Sequence, residues 1–112
     1  MPVTTRQSNG VTILDVAGKV TIDIGAVQLR EAVQGALNGG AKNILLNVKD
    51  MTTVDSSGIG EFISSYTGAT NRGGALKLLS VPPKLYDTLV ITQLLTVFEI
   101  YDNEDEAVAS FA

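Results

Sequence analysis

Val54-Asp55-Ser56-Ser57-Gly58-Ile59-Gly60 sets two neighbouring hydroxyls behind an acid and ahead of two glycines. Upstream, Ile44-Leu45-Leu46-Asn47-Val48 is a short apolar run, long enough for a buried strand and too short for a helix. Downstream, Ile59, Phe62, Ile63 and Tyr66 recur at helical spacing and give one apolar face. The motif therefore lies on a connection from strand to helix. Asp55 or a serine can cap that helix, because a side-chain oxygen there accepts from an otherwise unpaired backbone N–H. Gly58 and Gly60 leave the first turn without bulk, so that a partner's backbone can approach the hydroxyls. A purely structural reading, with serines as caps and glycines as turns, competes with the functional one.

Outward from the motif the elements alternate. Val3–Gln7 reads as a strand, Ser8-Asn9-Gly10 as a tight turn, and Val11–Ala17 as a second strand ended by Gly18. Thr21 and Asp23 are candidate caps for a helix over Ile24–Leu37, whose apolar stripe is Ala26, Leu29, Val33, Ala36 and Leu37. Asn38-Gly39-Gly40 stops it. The third strand, Ile44–Val48, scarcely alternates, so both its faces are expected to be buried. Asp50–Val54 links it to the motif, and the helix after the motif runs to about Thr70. Ala75–Val81 is a fourth strand, broken by Pro82-Pro83. A short helix over Lys84–Ile91 follows, then a fifth strand over Val97–Tyr101. Asn103, with Glu106 three residues on, opens a last helix docked by Ala107, Val108 and Phe111. The expectation is one α/β domain over residues 1–112, with a mixed, mainly parallel sheet of about five strands and about four helices. The motif then falls at the carboxyl end of a strand, where such sheets present their sites.

Composition removes several function classes. The 112 residues contain neither histidine nor cysteine, so there is no Ser-His-Asp triad, cysteine nucleophile, disulfide framework or histidine or thiolate metal site. A lysine-activated serine stays open; the nearest lysines on either side in sequence are Lys49 and Lys77. No catalytic residue, metal or cofactor is expected. The net charge of −4, with basic residues scattered, gives nucleic-acid binding no electrostatic support. No apolar run approaches the roughly 20 residues of a membrane span, and Met1-Pro2-Val3-Thr4-Thr5 lacks a secretory pattern. Neither nucleic acid nor membrane is expected as a partner, and the cytoplasm is the expected location.

Taken with this order of elements, Asp55-Ser56-Ser57-Gly58-Ile59-Gly60 resembles the signature of the STAS domain family, in particular its bacterial anti-sigma factor antagonists. The resemblance extends to Gly18 after the second strand, Gly73-Gly74 before the fourth, and Leu94–Tyr101 ahead of an acid-rich last helix. It implies a binding protein of transcription regulation rather than an enzyme. Its partners would be an anti-sigma factor that is also a serine kinase, and a serine phosphatase. The unmodified antagonist would bind the kinase and free a sigma factor, and phosphorylation would end the binding. The family's phosphoacceptor directly precedes the first glycine of the motif, which is Ser57 here. Two positions depart from the family pattern: Gly18-Lys19-Val20-Thr21 stands where Gly-Glu-Leu-Asp is common, and Asn47-Val48 where Asp-Leu is common.

Helix starts in parallel strand–helix units share one end of the sheet. A joint partner-binding face is therefore expected from Thr21, Ile22, Asp23, Gly25, Met51, Thr53, Asp55, Ser56, Ser57, Gly58, Ile59 and Gly60. Two alternatives stand beside this reading. One is a non-switching STAS module of a signalling assembly or transport system. The other is a small anionic-ligand binder using the glycine-flanked helix start.

Overall fold

The computed structural model describes residues 3–111. Five strands form one sheet in the order β1-β2-β3-β4-β5: β1 Val3–Ser8, β2 Val11–Val20, β3 Asn43–Val54, β4 Ala75–Leu79 and β5 Ile100–Tyr101. The β1–β2 hairpin is antiparallel, and every later pairing is parallel. Its turn uses positive φ at Asn9 and Gly10, which suits a two-residue hairpin.

The helices between the parallel strands are α1 Ala26–Asn38, α2 Ser56–Asn71 and α3 Pro83–Ile91. Each crossover advances one strand in the same direction. With the usual right-handed connection this places all of them on one face. That face holds the larger core, where Leu29, Val33 and Leu37 of α1, Phe62 and Ala69 of α2, and Leu85 and Leu89 of α3 meet Leu14, Ile44, Leu46, Val48, Leu76 and Leu78. The opposite face is covered by α4, Glu104–Ala109, which seats Ala107 and Val108 on Val11, Ile13, Leu45 and Leu79. Central strands buried on both faces account for the unbroken apolar run Ile44-Leu45-Leu46.

Polar groups on the α4 face tie the last helix to the sheet. The Lys77 ammonium is buried; it donates to the Ser110 carbonyl and hydroxyl at 3.1 and 3.0 Å and lies 4.6 Å from the Phe111 ring centre. Arg6, on β1, donates to Asp15 at 2.6 and 3.0 Å and to Glu104 at 2.9 and 2.6 Å. Asn47 also donates to Asp15, at 2.8 Å. These bonds to Arg6 hold both carboxyls below their ordinary range. Depressed folded-state values mean that the clamp acts above the unfolded carboxylate range, near pH 4, and is lost as pH falls through the folded values. Because the groups are partly exposed, the clamp is expected to contribute about 1 kcal/mol at neutral pH. Arg6→Ala should lower stability by that amount at pH 7 and flatten the acid limb of a denaturation-against-pH curve. An unchanged limb would show that the clamp does not contribute.

Five elements differ from the sequence expectation. β4 stops at Leu79, ahead of Ser80 at φ +58°, and does not reach Val81. β2 continues through Gly18 to Val20; Gly18, at φ +77°, sits at a register shift within the strand rather than at its end. β3 continues through Asp50–Val54, expected as a linker, because that segment pairs in parallel with the continued β2. β5 is confined to Ile100–Tyr101, and the preceding Phe98 enters the larger core from irregular backbone. α1 begins at Ala26 with Gly25 as its N-cap, so neither Thr21 nor Asp23 caps it; the Gln28 side chain accepts from the Gly25 N–H at 3.0 Å.

Candidate functional site

The paired extensions of β2 and β3 run beyond β4, whose last partner on β3 is Asn47. They carry the β2–α1 loop and the start of α2 to the same end of the sheet. Two glycines make the close fit there. A Cβ on Gly58 would lie 2.1 Å from the Val20 carbonyl oxygen and 2.7 Å from a Val54 methyl. A Cβ on Gly25, which has φ +93°, would lie 1.9 Å from the Lys19 carbonyl oxygen. Both helix starts thus seat directly on the backbone of Lys19 and Val20 at the end of β2. Gly58 serves contact within the chain rather than the approach of a partner's backbone, whereas nothing lies within 4 Å of a Cβ on Gly60.

Asp55 is the N-cap of α2, and its two oxygens divide their work. Oδ1 accepts from the Gly58 N–H at 3.0 Å, closing the first turn, and Oδ2 accepts from the Ile22 N–H at 3.0 Å, across 33 positions of sequence. These backbone donors, Ile22 first and Gly58 second, hold the carboxyl below its ordinary range. The carboxylate therefore braces the β2–α1 loop against the helix that carries the serines. Within the loop, the Thr21 N–H donates to the Ile24 carbonyl at 2.6 Å, and the Thr21 hydroxyl lies 3.2 Å from the Ile24 N–H.

The twelve residues expected at a joint face divide into two groups. Ile22, Asp23, Thr53 and Ser56 are exposed, and Thr21, Asp55, Ser57 and Gly60 are half-buried. Gly25, Met51, Gly58 and Ile59 are buried, so they have no exposed side chain to offer a partner. Met51 belongs to the larger core because Asp50–Val54 is strand rather than loop. Ile22 is 70% exposed and Ile24 51%, two large apolar side chains at a loop tip. Ile24, Val27 and Ile63 are exposed apolar residues absent from the expected face. The helical spacing places Ile63 on the apolar face of α2, but the buried stripe is Ile59, Phe62, Ser65 and Ala69. For the loop, the available signal was two isoleucines alternating with polar residues ahead of a glycine.

Among the described residues the Ser57 hydroxyl has no hydrogen-bond partner, and so none that would act on it as a base. Lys77 is committed to Ser110 on the α4 face, and Lys49 is exposed. No group of three or more acidic, histidine or cysteine residues able to hold a metal occurs among the described residues. At the α2 N-terminus an incoming anion would compete with the Asp55 carboxylate for the Gly58 N–H. A groove of about 760 Å³ opens beside the motif between Met51–Val54 and Pro82–Thr88.

The STAS domain family model matches residues 2–107, nearly the whole chain. The chain belongs to the STAS domain family. A curated relative, the anti-sigma F factor antagonist of Paenibacillus polymyxa, is 31% identical over 101 residues, covering 88% of this chain and 84% of that protein. Among solved STAS-like structures, a candidate anti-sigma factor antagonist from Thermotoga maritima superposes with a TM-score of 0.90 at 25% identity, covering 97% of this chain and 93% of that one. The phosphorylated form of the Bacillus cell fate determinant SpoIIAA shares the fold, with a TM-score of 0.77 at 19% identity over 98% and 99% of the two chains. The five-strand mixed sheet with four helices is thus the STAS architecture. No helix among the described residues is long and apolar enough to cross a membrane.

Proposed function

We propose that this STAS domain is an anti-sigma factor antagonist. In its unmodified form it binds an anti-sigma factor that is also a serine kinase, and so releases a sigma factor. The kinase ends the association by modifying Ser57. The serine oxygen attacks the γ-phosphorus of a bound nucleoside triphosphate, the nucleoside diphosphate leaves, and the hydroxyl proton passes to a base on the kinase. Hydrolysis of the phosphoserine by a separate phosphatase restores the hydroxyl. The chain acts as substrate and ligand rather than as catalyst.

One observation carries this reading: a half-buried serine with an unpartnered hydroxyl stands on the first turn of α2, braced through Asp55 to a loop tip of exposed isoleucines. An unactivated hydroxyl suits a group modified by another protein's base. Exposed apolar side chains on a braced loop suit burial against a partner. The curated relative's name gives the same assignment for that protein.

Titration of the isotope-labelled chain with its anti-sigma partner should shift the amide signals of Thr21, Ile22, Asp23, Thr53, Ser56 and Ser57. Signals of α4 should stay in place. Shifts confined to Glu104–Ala109 would overturn the proposed face. Binding through the expected face with no phosphate added by any kinase would identify a non-switching module instead.

A further inference from the structure

We infer that Asp55 relays the state of Ser57 to the Ile22–Ile24 loop tip, so that phosphorylation of the serine releases the loop as well as placing charge at the interface. The inference rests on the antagonist reading above and names how that site is regulated.

The geometry behind it is the divided carboxylate. Beyond the loop's own turn, the hydrogen bond that ties the tip's backbone to the rest of the chain runs from the Ile22 N–H to Asp55 Oδ2. The other oxygen of the same group is engaged at the first turn of α2, by Gly58. Ser57 lies between Asp55 and Gly58, at the second residue of the helix. A phosphoryl group on its oxygen brings roughly −1.5 to −2 charges and three strong acceptors. Those acceptors reach the same first-turn N–H donors that Asp55 now uses, and the added charge repels the carboxylate. Both effects turn Asp55 out of its position, and each loosens its hold on Ile22. The helix loses little, because the phosphate takes over its N–H groups. The loop gains nothing in return, because Ile22 is left without an acceptor.

Exposure makes this consequential. The tip carries Ile22 and Ile24, both more than half exposed, and has few packing contacts to hold it. A braced tip presents two apolar side chains in one arrangement, and a freed tip must be ordered again on binding. Asp55 acts here as a positioning residue.

The test uses the chain alone, with phosphoserine incorporated at position 57 during synthesis so that no kinase is needed. Hydrogen exchange of the Ile22 amide is compared between the serine and phosphoserine forms, in the parent sequence and in Asp55→Asn. Asparagine still caps a helix, but its single acceptor oxygen cannot serve both donors fully. In the parent, phosphorylation should speed Ile22 exchange at least tenfold while Leu29 and Phe62, inside the helices, are unchanged. In Asp55→Asn the Ile22 amide should already exchange fast, and phosphorylation should add less than twofold. Unchanged Ile22 protection on phosphorylation overturns the relay. So does an undiminished response in Asp55→Asn. Partner affinity, measured on the same samples, separates the two readings: affinity lost with Ile22 still protected defeats the relay alone, whereas Ile22 released with affinity retained defeats the antagonist reading and leaves the relay standing.

Discussion

Phosphorylation of Ser57 is expected to weaken binding to the anti-sigma partner by roughly 10²–10⁴-fold, the equivalent of about 3–5 kcal/mol, while the fold survives. Two effects of comparable size meet within the chain. The unpaired N–H groups and dipole at the start of α2 favour a negative group by about 0.3–1 kcal/mol. The Asp55 carboxylate opposes it through like charge. Glu61 is one turn further along α2 and is offset by Arg30 at 3.5 Å. The net change should stay within about 1 kcal/mol, or ~5 °C in Tm for a chain of this size. The interface has no such compensation, because a dianion must be desolvated or repelled where the partner packs. Ser57→Ala should bind constitutively, and Ser57→Asp should mimic the phosphate weakly, with one charge and fewer acceptors. Ser56 is exposed and is the first helical residue rather than the cap, so Ser56→Ala should leave both stability and switching nearly unchanged. Titration calorimetry with melting curves on the same samples checks the set. Equal affinity for the two forms of Ser57 would defeat the switch, and phosphate found on Ser56 would move it.

The second large effect concerns stability. Gly58→Ala should cost about 3 kcal/mol or more, because its Cβ meets the Val20 carbonyl oxygen, which cannot swing away, and a methyl of the half-buried Val54. The first turn of α2 would have to lift from β2, carrying Ser57 with it. Gly60→Ala, two residues on in the same helix, meets nothing and should gain up to about 1 kcal/mol from the lower backbone entropy of alanine. Denaturant midpoints measure both. A Gly58→Ala chain as stable as the parent would remove the close packing of α2 on Val20.

The contrast between these glycines shows what sequence could and could not supply. Periodicity located α1, α2 and β3, because each buries a continuous stripe or both faces. The strand–helix alternation carried the topology, and the doubled serine with its acid drew attention to the candidate site. The partner of Asp55 could not be inferred, since Ile22 lies far away in sequence and meets it only through the pairing of β2 with β3. That pairing was itself hidden. Lys49-Asp50-Met51-Thr52-Thr53 has neither apolar alternation nor a continuous apolar run, so its strand character comes from the neighbour it pairs with. Gly18 looked like an end because a glycine at positive φ usually ends a strand, yet here it sits within one. Phe98 suggested strand by its side chain, although it reaches the core from irregular backbone.

The strand order, β1 to β5 without interruption, also bears on how the chain acquires its structure. Each new strand joins the one made just before it, so no early strand must wait beside an empty place for a distant partner. Loop closures stay short, which favours rapid assembly. A chain emerging from the ribosome can add strands in the order of their synthesis, each covered by the helix that follows. The exception is α4, which returns across the sheet to the first hairpin and meets Arg6 from 98 positions away. Its docking is therefore the closing step: until it arrives, Val11, Ile13, Leu45 and Leu79 face water, and that uncovered surface is where nascent chains would associate wrongly.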